Sequence, residues 1–245
     1  MARVESVALN AVKEERESRN ELDAIVVNIE LTLVSIIQGV ALSFLTENAR
    51  AVLAGRLWTA WPYVLAGLFI ILLFWSRSII HTLTLFRWPL EFGHNFFYIT
   101  CTLAQAIAFT RLADPFWWFV LCGVFSALVW GLFSYDLRII RMLEADSRSE
   151  DALRLYRIVL RDQKLNIWFL VPGILLFNVA CAIAIHMRPE FFLLRNGHLI
   201  LIGLQVAGLA IYLGYVIRAF IKLTPLIADA RHDWRSTETS DSDPK

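Results

Sequence analysis

"AIVVNIELTLVSIIQGVALSFLT", residues 24–46, decides the fold. Only 16 residues, Leu31 to Thr46, precede the polar group that begins at Glu47, and a helix needs about 20 mostly apolar residues to cross a hydrocarbon core of about 30 Å. The stretch therefore crosses a bilayer only if it takes in Ala24 to Glu30. Glu30 then lies about 9 Å inside the membrane boundary at 1.5 Å per residue. A carboxylate costs about 2.5–3.5 kcal/mol near the bilayer centre and somewhat less at this depth, so it calls for a partner, a proton or water.

The rest of the chain supports a bilayer as the solvent. Of 245 residues 58% are hydrophobic and 18% charged, against roughly half and a quarter in soluble domains. Six stretches have spanning length: 24–46, 57–79, 94–112, 116–135, 165–186 and 197–219. The expected fold is an all-α integral membrane protein of six transmembrane helices. An amphipathic helix is expected over residues 1–23, where Val4, Val7, Ala8, Ala11 and Val12 share one face. Residues 24–224 form the transmembrane domain, and 225–245 a short amphipathic piece with a tail too polar to pack.

Charge sets the orientation. The N-terminal arm, the second and fourth connections and the segment from Arg218 onward hold 18 of the 23 Lys and Arg, the other connections 5. The positive-inside rule places the richer side, with both termini, in the cytoplasm. Trp58, Trp61, Trp117 and Trp118 then fall at the outer interface, and Trp75, Trp88 and Trp168 at the inner one. A bacterial inner membrane is the expected location. The longest connection, 136–164, mixes seven basic with six acidic residues around Leu153, Tyr156 and Leu160 at helical spacing. It reads as a cytoplasmic helical hairpin that breaks at "ADSRSED" and could receive a protein partner.

Charge is concentrated in "SRSIIHTLTLFRWPLEFGHN", residues 76–95, which this topology makes the inner turn between spans two and three. Trp88-Pro89 should end span two there, because a residue before proline is driven out of α conformation. Arg77 and His81 are i and i+4 and share a helix face. Together with His94 and Glu30 they are expected to form a buried polar cluster at the inner mouth. Intramembrane ionisable groups are by default candidates for ion pathways and proton relays, and histidine titrates near neutral pH.

Deeper in the spans lie Gln38, Gln105, Ser126, Asn178 and Gln205. They are either hydrogen-bonding glue between helices or parts of a hydrated route. Asn28, Thr32, Ser35, Ser43 and Thr46 form a polar stripe down span one, which makes that helix the expected lining of the route. Small residues mark helix contacts: Gly123, Ala127 and Gly131 in span four, and Gly203, Ala207, Ala210 and Gly214 in span six. Close packing and self-association into a homo-oligomer are expected through them. Pro172-Gly173 should loosen span five.

Several classes are disfavoured. A net charge of +1 gives no field for nucleic acid. Cys101, Cys122 and Cys181 fall in different spans, with neither a disulfide framework nor a metal motif. Phosphate loops, GxSxG and HExxH are missing from the sequence, so no enzyme, metal or cofactor is expected. The leading reading is passage of a small ion or proton, with Glu30 as the charged site. The competing one is a membrane subunit, scaffold or sensor working through 136–164.

Overall fold

A computed structural model describes the backbone of residues 2–85, 92–146 and 150–240, and side chains within 21–227 apart from 23, 85–91, 146–149 and 151–152. The expected break at Trp88-Pro89, with Arg87 and Glu91, lies outside the described residues, as does the centre of "ADSRSED". The same holds for the apolar face expected on residues 3–20.

Among the described residues seven α-helices follow one another: α1 (Ala2–Ala54), α2 (Trp61–Leu85), α3 (Phe92–Phe109), α4 (Pro115–Asp146), α5 (Glu150–Leu165), α6 (Val171–Met187) and α7 (His198–Ser240). Among the described residues five segments are long and apolar enough to cross a membrane: Ala24–Ala54, Trp58–Thr84, Pro115–Ala145, Leu153–Met187 and His198–Ile227. Among the described residues the fold is thus all-helical, with five helices as apolar as those of a membrane protein. The expected third span is the exception: α3 is 18 residues long and carries His94, Asn95, Thr102 and Gln105. Its polarity has a structural reason, since all four of these residues are buried as α3 packs against both α1 and α4.

Two helices run further than the sequence suggested. α1 is continuous from the N-terminal arm through span one, about 80 Å at 1.5 Å per residue. α7 passes through Pro225 and ends at Ser240, so the backbone expected to form a separate C-terminal piece and the start of a tail continues the last helix.

α4 is the hub, touching α3, α5 and α6, while α2 packs against α1 and α7, and α5 against α7. Its aromatic core holds Trp118 and Phe119, which meet Tyr63 of α2 edge-on at 5.6 and 6.4 Å between ring centroids. Trp118 is fully buried, so it belongs to this core and not to an outer interface belt. Trp58, Trp61 and Trp117 are exposed.

α5 and α6 are joined by a π turn over Asn166–Leu170. The Val171 N–H donates to the Asn166 carbonyl, an i to i−5 bond, and in that register the Ile167 carbonyl faces Pro172, which has no N–H to give. Trp130 Nε1 donates to it instead, at 3.0 Å. The loosening expected at Pro172-Gly173 thus takes the form of a π turn.

Glycines act where helices come closest. A Cβ on Gly67 would lie 2.8 Å from Leu45 Cδ1, and one on Gly93 2.6 Å from Tyr135 Cζ. Gly123 abuts α6, and Gly131 meets Phe97 of α3. The span-six stripe behaves differently: Gly203, Ala207, Ala210 and Gly214 are all exposed, and added Cβ atoms at Gly203 and Gly214 would meet nothing within 4 Å. Ala127 is also exposed.

Candidate functional site

The polar residues inside the bundle fall into two layers. The first lies where the C-terminal part of α2 meets α3, α4 and α5. At its centre is Asp136 of α4, fully buried. His81 Nδ1 lies 2.9 Å from Asp136 Oδ2, and His94 Nδ1 2.7 Å from Asp136 Oδ1. An ionised carboxylate only accepts, so beside an ionised Asp136 each imidazole donates its Nδ1–H, and a neutral His81 keeps the lone pair on its Nε2. His81 Nε2 is buried and has no hydrogen-bond partner.

One turn earlier on α2, Arg77 serves a second carboxylate. Its Nη1 lies 2.6 Å from Asp162 Oδ2 and its Nη2 3.3 Å from Gln163 Oε1. Gln163 passes the link on by donating Nε2–H to the Phe133 carbonyl at 2.8 Å. Asp162 Oδ1 accepts from Tyr215 at 2.6 Å, and its Oδ2 also accepts from Asn166 at 3.2 Å. Tyr212 donates to Asn166 Oδ1. Phe133 packs between the two groups, its ring 5.6 Å from the His81 ring and 5.4 Å from Arg77 Cζ.

Glu30 is buried as expected of a carboxylate that needs shelter. Its Oε1 accepts from Asn95 Nδ2 at 2.7 Å, while Oε2 has no partner. Of the four residues expected to cluster, His81 and His94 meet through Asp136. Arg77 turns to Asp162, and Glu30 to Asn95.

The second layer lies further along the same helices. Trp118 Nε1 donates to Gln205 Oε1 at 2.8 Å, and Gln205 Nε2 to Asn178 Oδ1 at 3.0 Å. Past Trp118, Tyr63 and His198 share a hydrogen bond of 2.9 Å. Between the layers α2, α4, α6 and α7 line a half-open cavity of about 70 Å³. Arg77 and Tyr212 face it from one end, Ser126, Asn178 and Gln205 from the other, and Phe74, Phe125, Val129, Phe133, Val171 and Leu209 wall it. Gln38 and Gln105 lie apart, on α1 and α3. Gln38 Nε2 donates to Thr102 at 3.2 Å, and both side-chain polar atoms of Gln105 are buried without a partner.

The polar stripe of α1 does not line this space. Asn28, Thr32, Ser35, Ser43 and Thr46 are exposed, and the four hydroxyls bond the carbonyl four residues back in their own helix. A hydroxyl satisfied this way can face lipid, so a stripe read from spacing alone did not identify the inward face.

Sequence reasoning missed Asp136 and Asp162 by assigning both to the connection 136–164. A signal was available. Asp136 shares a helix face with Phe133, Ile139 and Ile140 at i−3, i+3 and i+4, and Asp162 falls on the stripe of Leu155, Val159 and Asn166. A carboxylate on an apolar face is a buried one. No protein-family model, curated protein or solved structure matches the chain.

Proposed function

We propose that this protein passes a small ion or proton across a membrane through the space between α2, α4, α6 and α7. The observation that carries the reading is the pair of carboxylates, Asp136 and Asp162, held with Arg77 and His81 inside segments apolar enough to span a bilayer, with His94 of α3 on the same Asp136. Burying charge is expensive, and a bundle that needed only cohesion could use apolar side chains at these positions. The charged site shifts from Glu30 to Asp136, which sits at the junction of three helices.

In this proposal α3 completes a six-span bundle, both termini lie in the cytoplasm and the membrane is a bacterial inner membrane. The outward stripe of Gly203, Ala207, Ala210 and Gly214 supports a homo-oligomer, because exposed small residues let the backbone of a second copy approach closely. The test is flux in liposomes carrying the purified chain, comparing the native protein with Asp136→Asn under an imposed gradient. Flux lost in Asp136→Asn supports the proposal. No flux from inserted, folded native protein overturns it.

A second reading has its own observation. Arg154, Arg157, Arg161 and Lys164 are exposed along α5 and make no ion pair among the described residues. A non-enzymatic subunit or sensor would use this basic face within 136–164 to meet an acidic partner.

A further inference from the structure

We propose that the passenger is the proton, carried by His81 and by water that transiently fills the cavity between the two polar layers. This rests on the passage reading and narrows it.

Three observations point away from a metal cation. A dehydrated cation needs several oxygen ligands, but every oxygen of Asp136 and Asp162 is already engaged by a side chain of the protein. Arg77, whose positive charge is fixed, lines the cavity. Among the described residues no group of three or more His, Cys, Asp or Glu could hold a metal ion.

His81 offers what a proton needs. Uptake forms one N–H bond at the buried Nε2 lone pair and turns the ring into an imidazolium, which Asp136 balances. Release breaks the same bond, so nothing else is consumed. The charged or titratable groups around that ring are Asp136 on α4, His94 on α3, Asp162 on α5 and Arg77 on its own helix. The Phe133 ring touches the His81 ring at 5.6 Å between centroids and also lines the cavity.

The cavity supplies the path. Its volume of about 70 Å³ leaves room for a few waters, and the fixed charge of Arg77 in its lining repels a cation. Apolar walls keep such a space dry at rest, and constrictions of this kind gate by wetting. A proton moves along hydrogen bonds once waters connect Arg77 and Tyr212 to Asn178 and Gln205.

The experiment uses liposomes with the full chain, an internal pH dye and a clamped potential, run beside tracer uptake of rubidium and sodium. Native protein is expected to move protons and neither cation. His81→Gln should lose about a hundredfold in proton flux, the scale of one positioned proton carrier. Val129→Thr, nearly isosteric and so well placed to fold, adds a hydroxyl to the cavity wall and should raise proton flux several-fold without admitting rubidium. Cation uptake that Asp136→Asn abolishes would overturn the proton assignment and leave passage standing. Proton flux indifferent to both His81→Gln and Val129→Thr would overturn the route. Flux of neither kind would overturn passage itself.

Discussion

Arg77 on α2 and Asp162 on α5 lie 85 positions apart in sequence, and their guanidinium and carboxylate meet at 2.6 Å, with side chains 4% and 16% exposed. The contact fastens α5 to the apolar bundle at a charged point. Removing one partner strands the other charge, which costs about 3–5 kcal/mol for a buried pair. Asp162→Ala should therefore lower the thermal midpoint in detergent sharply. Arg77→Met combined with Asp162→Leu should fall by less than either single change, as read by a double-mutant cycle.

Glu30 makes a contrasting prediction. Only Oε1 is engaged, through Asn95, and Gln keeps that oxygen while removing a buried charge. Glu30→Gln should change stability by less than about 1 kcal/mol, because the bond that matters survives. Asn95→Leu leaves the carboxylate without a donor and should cost about 1–3 kcal/mol. Thermal melts of the two variants side by side check this, and a large loss in Glu30→Gln alone would contradict it.

Trp130 and Pro172 form a testable couple. Trp130→Phe strands the Ile167 carbonyl that the indole serves, a loss of about 1–3 kcal/mol. Pro172→Ala restores an N–H opposite the same carbonyl, so it should recover much of the loss in the Trp130→Phe background. Failure of the rescue would mean that the indole acts through packing alone.

Glycine substitutions separate inward from outward faces. Gly93→Ala drives a methyl into Tyr135 and should destabilise by about 1–3 kcal/mol, the scale of overpacking. Gly203→Leu enters open space and should leave the melt unchanged. If α7 joins two copies, the same substitution should lower the mass of the particle measured in detergent by light scattering. An unchanged mass from an oligomeric native protein would place the interface elsewhere.

Much of this arrangement was legible in the sequence, and the boundary of legibility is physical. The length argument over residues 24–46 identified Glu30 as a carboxylate that must be sheltered, and it is buried. Arg77, His81 and His94 were legible as charges out of place in an apolar chain. Their partners were not, because Asp136 and Asp162 stand where apolar runs give way to charged ones, and hydropathy alone cannot tell a buried end from a wet one. The inward face of α1 was hidden for another reason. Serine and threonine bond their own helix as readily as a neighbour, so their spacing does not say which way they look.

The π turn at Asn166–Leu170 holds one more residue than α geometry would use. The wide turn absorbs that residue and so keeps the angular phase between α5, with its carboxylate, and α6. Deleting one residue would close the turn to plain α winding and take the Ile167 carbonyl from Trp130, while inserting one more would swing Asp162 by about 100° relative to α6, off Tyr215 of α7. Here the number of residues is itself the encoded quantity, and a comparison of distant relatives should find this segment free to change its letters but not its length.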